Sequence, residues 1–407
     1  VKAVTIALAT FFTVVQFYTS LARLSPTPPV GYVFASRPVA IALVALLVLA
    51  GALPLVRLLA EHAPPARAST TLLGYWIGSA ALSSALGIYP AAGFAVVGVM
   101  LLTGVFHIAL VHFYPRAGVA AAVVATFLGV GLFASVAALA MTVTRRPALL
   151  WALNHGRAAG FFVTANQFAA FLIVFIFVGI GTARAATGAL RRLGAASTAV
   201  GTIALLGTVS VAGILGALCG GVFYCVALRA RRTGAALALA AAVGAAALFL
   251  GPAVRHNAGE SLDRIPIWRS GLRVAELFPL TGVGPMAYYK VYPAVRAPNG
   301  DLPGTFGALH PHDVYLSLAG ETGLVGLAAT AAGWVRFGHA FRAGVRALGP
   351  RDRAFAMALA AGLVAVLVHG LFDTVGVVET AFVWIPCTGL ALAAAASGLP
   401  SGERVAA

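Results

Sequence analysis

The stretch NQFAAFLIVFIFVGIGTARAAT (residues 166–187) carries one charge, Arg184, and is apolar on every side. About 20 such residues, rising 1.5 Å each, cross the hydrocarbon core of a bilayer as a helix. Outward from it the chain repeats the theme. Over 407 residues 61% are hydrophobic and 9% charged, with a mean hydropathy of +0.96, against about 25% charged residues in a soluble domain. The runs are rich in Ala, Leu, Val and Gly and lack the roughly ten-residue alternation of a lipid-facing barrel. The sequence therefore predicts an all-α polytopic membrane protein.

Hydropathy predicts about 12 transmembrane helices, at 3–21, 39–60, 71–88, 91–113, 118–143, 166–187, 197–212, 213–229, 234–254, 313–335, 354–372 and 377–397. The seventh and eighth share one apolar stretch that reads equally as one long helix or two. The expected division is residues 1–254 as helices 1–9, 255–312 as a polar outer region, and 313–407 as helices 10–12 with a tail. The first apolar run shows no A-x-A cleavage site and reads as a span rather than a removable leader. Cys219, Cys225 and Cys387 all lie in apolar segments, in no metal or disulfide pattern.

The net charge of +16 would suggest nucleic acid in a soluble protein, but here the arginines punctuate apolar runs, as topology and anionic lipid require. With the N-terminus in the cytoplasm, every inner loop receives Lys or Arg, as the positive-inside bias expects. The exceptions fall mainly in residues 144–165 and 255–312: Arg145, Arg146, Arg157, Arg255, Arg264, Arg269, Arg273, Lys290 and Arg296. Cations gathered on the disfavoured side point to an anionic ligand there. In the second segment SLDRIPIWRSGLRVAELFP predicts an amphipathic helix, capped by Ser261 or Asp263 and ended by Pro279. Ile265, Trp268, Leu272 and Ala275 form its apolar face.

Three groups of residues can carry chemistry. In LHPHDVYLSLAGETGLVG (residues 309–326) Asp313 can cap the following span, and His312, at the mouth of that span, can accept a proton near neutral pH. His310 has many structural uses at a helix start. Two histidines and an aspartate suggest a metal, but the sequence offers no further His/Cys cluster beside them. Gly320, Gly323 and Gly326 would let a neighbouring helix approach, and Glu321 would lie deep in the span. Asp373 and Glu379 flank the last outer turn and could line the same cavity, although they read mainly as solvated loop acids. In NHGRAAGFFVTANQFAAFL (residues 154–172) Arg157 precedes a span that Asn166 can cap. Its planar fork suits phosphate oxygens. Arg264 and Arg269 sit about 140° apart around a helix, so one would hold ligand and the other brace the fold.

At these residues the chain resembles the O-antigen ligase and polymerase family. His312, Asp313, nine residues and then Gly323-Leu-Val-Gly326 resemble the ligase pattern of His, a neutral polar residue, nine residues and G-x-x-G, with Asp313 the departure. Residues 157–166 look like the family's R-x-x-G…N element. Arg264 and Trp268 followed by Pro279, Gly282 and Gly284 look like its R-x-x-x-W…P-x-x-G-x-G element. The resemblance implies an inner-membrane glycosyltransferase of the GT-C type that needs no metal or other cofactor. It would move O-antigen from undecaprenyl diphosphate to a sugar hydroxyl of the lipid A core on the periplasmic face. His312 would be the base, Arg157 and Arg264 would bind diphosphate, and Arg269, His310 and Asp313 are further candidates for substrate contact. Relatives that polymerise the glycan or pass it to a protein hydroxyl remain alternatives. A transporter of a lipid-linked sugar, using the same arginines without chemistry, is the alternative of a different class.

Overall fold

The computed structural model describes residues 2–15, 37–62, 65–116, 118–146, 148, 151, 154–162, 164–250, 264–295, 310–373 and 383–399; for 11–15, 37–44, 47, 244–250 and 264 it describes backbone alone. The expected caps Ser261 and Asp263, together with Arg255, Arg296 and Glu379, lie outside these residues, as does the side chain of Arg264.

Every regular element among the described residues is helical. In chain order they are α1 (Lys2–Val15), α2 (Arg37–Ala60), α3 (Arg67–Leu86), α4 (Pro90–Phe113), α5 (Val119–Thr144), α6 (Ala165–Ala185) and α7 (Gly188–Gly207). They continue with α8 (Val211–Ala227), α9 (Arg231–Leu250), α10 (Arg264–Leu277), α11 (Tyr288–Val295), α12 (Val314–Arg346), α13 (Pro350–His369) and α14 (Ile385–Ser397). Five of them, α4, α5, α6, α12 and α13, are long and apolar enough to cross a membrane. The shared stretch at 197–229 forms two helices. The α7 ladder ends at Gly207, and Ser210 caps α8 by accepting from the Gly213 N–H. The two helices scarcely touch each other and both pack on α6.

The centre of the bundle is α6, with α7, α13, α8 and α5 around it. Close helix approach in lipid depends on small residues, because lipid tails leave no hydrophobic gain between apolar helices. Gly181 faces Phe355 and Ala358 of α13, and Gly362 of α13 faces Val174 and Phe177 of α6. That register makes the pair antiparallel and sets the start of α6 beside the end of α13. Gly216 and Gly220 of α8 face Ala365 and Ala361 of α13, which brings the start of α8 to the same end. On the other side Trp76 of α3, Trp334 of α12 and Trp384 form a cluster with ring centroids 5.4–6.2 Å apart.

The opposite end of the bundle carries ionic contacts of a different kind. Glu61 accepts from both Nη atoms of Arg116 and meets His112 Nε2 at 2.9 Å. These neighbours hold its carboxyl well below the usual range, at about 2.

α12 corrects one expectation. Its glycine stripe does not simply admit another helix: at Gly323 the backbone leaves the helical region (φ 64°, ψ −169°) and the helix breaks. What enters is the turn after α10. In an unbroken helix the N–H groups of Leu324 and Val325 would bond the carbonyls of Gly320 and Glu321. Here Leu324 and Val325 donate instead to Pro279 O (2.8 Å) and Leu280 O (3.1 Å). The Gly320 and Glu321 carbonyls accept from Val283 N and Gly284 N, both at 2.9 Å. Ser83 Oγ of α3 lies 2.6 Å from the carbonyl oxygens of Thr281 and Glu321, to which it donates, and Ile88 N donates to Val283 O at 2.9 Å. A break within lipid-crossing helix is tolerated only when each freed backbone group finds such a partner. The fit is backbone against backbone, so a Cβ at Gly282 or Gly323 would collide with main-chain atoms, and both residues hold positive φ.

Candidate functional site

His312 and Arg157 reach the same end of the bundle by different routes. His312 sits just before α12, in the left-handed region (φ 52°), which non-glycine residues seldom occupy and which recurs at functional sites. Three contacts over-determine it. Trp268 Nε1 of α10 donates to His312 O (3.3 Å), Pro311 packs against Gly271 of α10, and Val314 N donates to Gly370 O at the end of α13 (2.8 Å). The imidazole is about one-third exposed, and its Nδ1 lies 3.3 Å from Oδ1 of Asp373, which is 10% exposed. Donation from Nδ1–H to that carboxylate would leave Nε2 with the lone pair. The ring of His310 meets that of His312 edge-on at 4.4 Å. Among the described residues no group of three or more His, Cys, Asp or Glu is arranged to hold a metal ion.

Asp313 caps α12: its Oδ1 accepts from Tyr315 N and Leu316 N, both at 2.8 Å. Burial raises its pKa above the ordinary carboxyl value even though those two N–H groups pull it down. Glu321 is buried at the helix break, where its carbonyl is one of the captured groups.

Arg157 lies on the loop between α5 and α6. His155, Gly156 and Gly160 all take positive φ, so this loop is a series of tight turns. Arg157 Nε donates to Thr208 O, between α7 and α8, at 2.7 Å, and Nη2 donates to Asn166 Oδ1 at 2.6 Å. The guanidinium plane is thereby fixed. Asn166 is thus a partner of Arg157 and not the helix cap. The cap is Thr164, whose hydroxyl accepts from Gln167 N, while Asn154 Oδ1 takes Ala165 N. Below the loop Phe162 packs with Phe168 and Phe171, and the stack continues to Phe175 and Phe127. A cleft lined by Arg146, Trp151, Arg157, Ala159 and Gly160 lies beside it.

Because α6 and α8 both flank α13 with their starts at its C-terminal end, the Arg157 brace and the His312–Asp373 pair share one end of the bundle. Arg269 is exposed on α10; the backbone of Arg264 opens that helix.

Two contributors were hard to see in the sequence. Asp373 reads as a loop acid 61 positions from His312 and gives no local signal. Trp268 belongs to a noticed pattern, but only the fold reveals its bond to the His312 carbonyl. The expected apolar face of α10 also needs correction. Ile265 and Leu272 are 41% and 52% exposed, whereas Ser270 and Val274 are buried. In a membrane protein an apolar face can meet lipid as well as protein, and periodicity alone does not separate the two.

Residues 148–331 match the family model described as O-Antigen ligase. No curated protein matches the chain.

Proposed function

We propose, from the match of residues 148–331 to the O-Antigen ligase family model, that the chain is a GT-C type glycosyltransferase of the bacterial inner membrane. In this reading it crosses the bilayer about 12 times and works on the periplasmic face. It transfers O-antigen from undecaprenyl diphosphate to a sugar hydroxyl of the lipid A core. The observation that carries the reading is the common end of the bundle shared by a carboxylate-paired imidazole and a braced guanidinium. That end is opposite the Glu61–Arg116 contact and the basic loops between α6 and α7 and between α8 and α9, which the positive-inside bias assigns to the cytoplasm.

The contacts described above support the following chemistry. His312 Nε2 takes the proton of the acceptor hydroxyl as its oxygen attacks the anomeric carbon. Asp373 orients the ring through Nδ1 and stabilises the imidazolium that forms. The bond from the anomeric carbon to the diphosphate oxygen breaks with inversion, and the diphosphate departs with the bonding pair. That leaving group needs its charge held, not a proton, and Arg157, joined by Arg264, holds it. Restraining the Arg157 fork with two hydrogen bonds removes reorganisation at the moment charge develops. Metal ions have no role in this scheme.

The test is reconstitution with undecaprenyl diphosphate glycan and rough lipopolysaccharide, with and without EDTA. Transfer that persists with chelator is expected. Transfer abolished by chelator would remove the metal-free scheme, elongation of the glycan alone would make the protein a polymerase, and movement of donor without transfer would make it a transporter.

A further inference from the structure

α10 presents two faces with different partners. At about 100° per residue, Ser270, Gly271 and Val274 point inward. Gly271 meets Pro311, and Val274 lies against Gly320. The outward arc carries Ile265, Leu272 and Leu277, exposed by 41%, 52% and 58%, and between them Arg269 and Arg273 with the single acid Glu276. This apolar surface does not stop at the helix. Leu280 is 66% exposed, and its carbonyl receives Val325 N; Leu324 and Val325, themselves 59% and 41% exposed, stand on α12, a helix fit to cross the membrane. The lipid-facing wall of α12 therefore runs on into the outward face of α10, where arginines join the leucines. Apolar side chains flanked by cations on one helical arc are the pattern of a helix lying in a membrane interface.

We propose that α10 rests on an anionic lipid surface, with Leu272 and Leu277 in the acyl boundary and Arg269 and Arg273 on phosphates, and that this docking sets the position of His312. The coupling is mechanical. The same rigid helix that meets lipid outside holds the His312 carbonyl through Trp268 and packs on Pro311 inside. His312 keeps a left-handed backbone, which persists only while its surroundings enforce it. Seating α10 on lipid tightens that enforcement; lifting α10 relaxes it. The lipid contact itself does not depend on the transferase reading, and only the catalytic meaning of the coupling rests on it.

The experiment uses the full chain in nanodiscs of phosphatidylcholine alone or with phosphatidylglycerol. Leu272→Cys is labelled with an environment-sensitive fluorophore after Cys219, Cys225 and Cys387 are changed to Ala. The label should emit as in lipid, be quenched by lipids spin-labelled near the headgroup, and respond further to phosphatidylglycerol. Each arginine near an anionic surface contributes about fivefold to such partitioning, so Arg269→Gln with Arg273→Gln should abolish most of the phosphatidylglycerol response. In parallel, the rate at which diethyl pyrocarbonate modifies His312, read by mass spectrometry, should change at least twofold with phosphatidylglycerol in the parent. It should not change in Trp268→Phe. A water-like label in both lipids overturns the docking, and a phosphatidylglycerol-sensitive label with an unchanged His312 rate overturns the coupling. Neither readout uses turnover, so loss of glycosyl transfer with both intact would count against the proposed reaction and not against this inference.

Discussion

The two halves of the candidate site lie at one end of one bundle yet are positioned by different means. On the His312 side α12 itself is held main chain to main chain, at a broken helix whose freed N–H and C=O groups are taken by residues 279–284, with Gly282 and Gly323 where a Cβ would meet those backbones. On the Arg157 side the contacts are made by side chains, with the Thr208 carbonyl and the Asn166 amide oxygen fixing the guanidinium and Phe162 packing on Phe168 and Phe171. Backbone contacts admit almost no substitution, because a methyl group has nowhere to go. Side-chain contacts fail gradually, each in proportion to the atoms removed.

Substitutions can break this contrast. Gly323→Ala should have the largest effect, since overpacking against the 279–284 backbone and the left-handed conformation together cost roughly 3–5 kcal/mol. A collapse in the yield of monodisperse protein and in the unfolding temperature is expected, and wild-type behaviour would show that the break is not needed. His312→Ala comes next. Loss of a general base lowers turnover by about 10²–10⁴-fold while donor binding, measured by calorimetry, stays within about twofold. Weakened donor binding would make His312 a binding residue.

Arg157→Lys keeps the charge but loses the fork that Thr208 and Asn166 hold. Its donor affinity should fall about tenfold, the worth of a charge-assisted hydrogen bond, with the fold intact by circular dichroism. Phe162→Leu preserves most of the volume and should cost about 1 kcal/mol of stability. If it proved as damaging as Gly323→Ala, the contrast between the two sides would be lost.

The smallest effect is expected at the far end, where the contacts are exposed charges. Glu61 is depressed from the carboxyl value of 4.5 to about 2, so its contribution is present above pH 4.5 and is lost as the pH falls through 2. The small difference in melting temperature between wild type and Glu61→Gln should be constant near neutrality and vanish across that acidic window. A difference that grew on acidification would assign Glu61 another role.

Much of this was legible in the sequence, for identifiable reasons. Long apolar runs with basic ends set most helices near the observed limits, because a bilayer fixes the length of a span, whereas α7 starts at Gly188 and not at 197, and α12 runs on to Arg346 and not to 335. His312 and Arg157 stood out as polar groups beside such runs. The break at Gly323 did not, since glycines at three-residue spacing look the same whether a helix or a turn approaches them. Asp373 was undervalued because a carboxylate reports nothing about a partner dozens of residues away. Asn166 was given the duty of Thr164, its neighbour but one, because both residue types cap helices equally well. Each miss concerns which chain segment arrives from a distance, and local pattern is silent on that.

Gly323 has a mechanical consequence for a protein that must serve bilayers of varying thickness. A span accommodates mismatch by tilting, and in a continuous helix that tilt would swing the whole rod. Here the short His312-bearing segment is tied across the break to α3 and to residues 279–284. The same turn also takes the N–H groups of Leu324 and Val325 on the far side of the break, so both pieces are riveted to one plate, and a tilt of either is shared with α3 instead of swinging the imidazole alone.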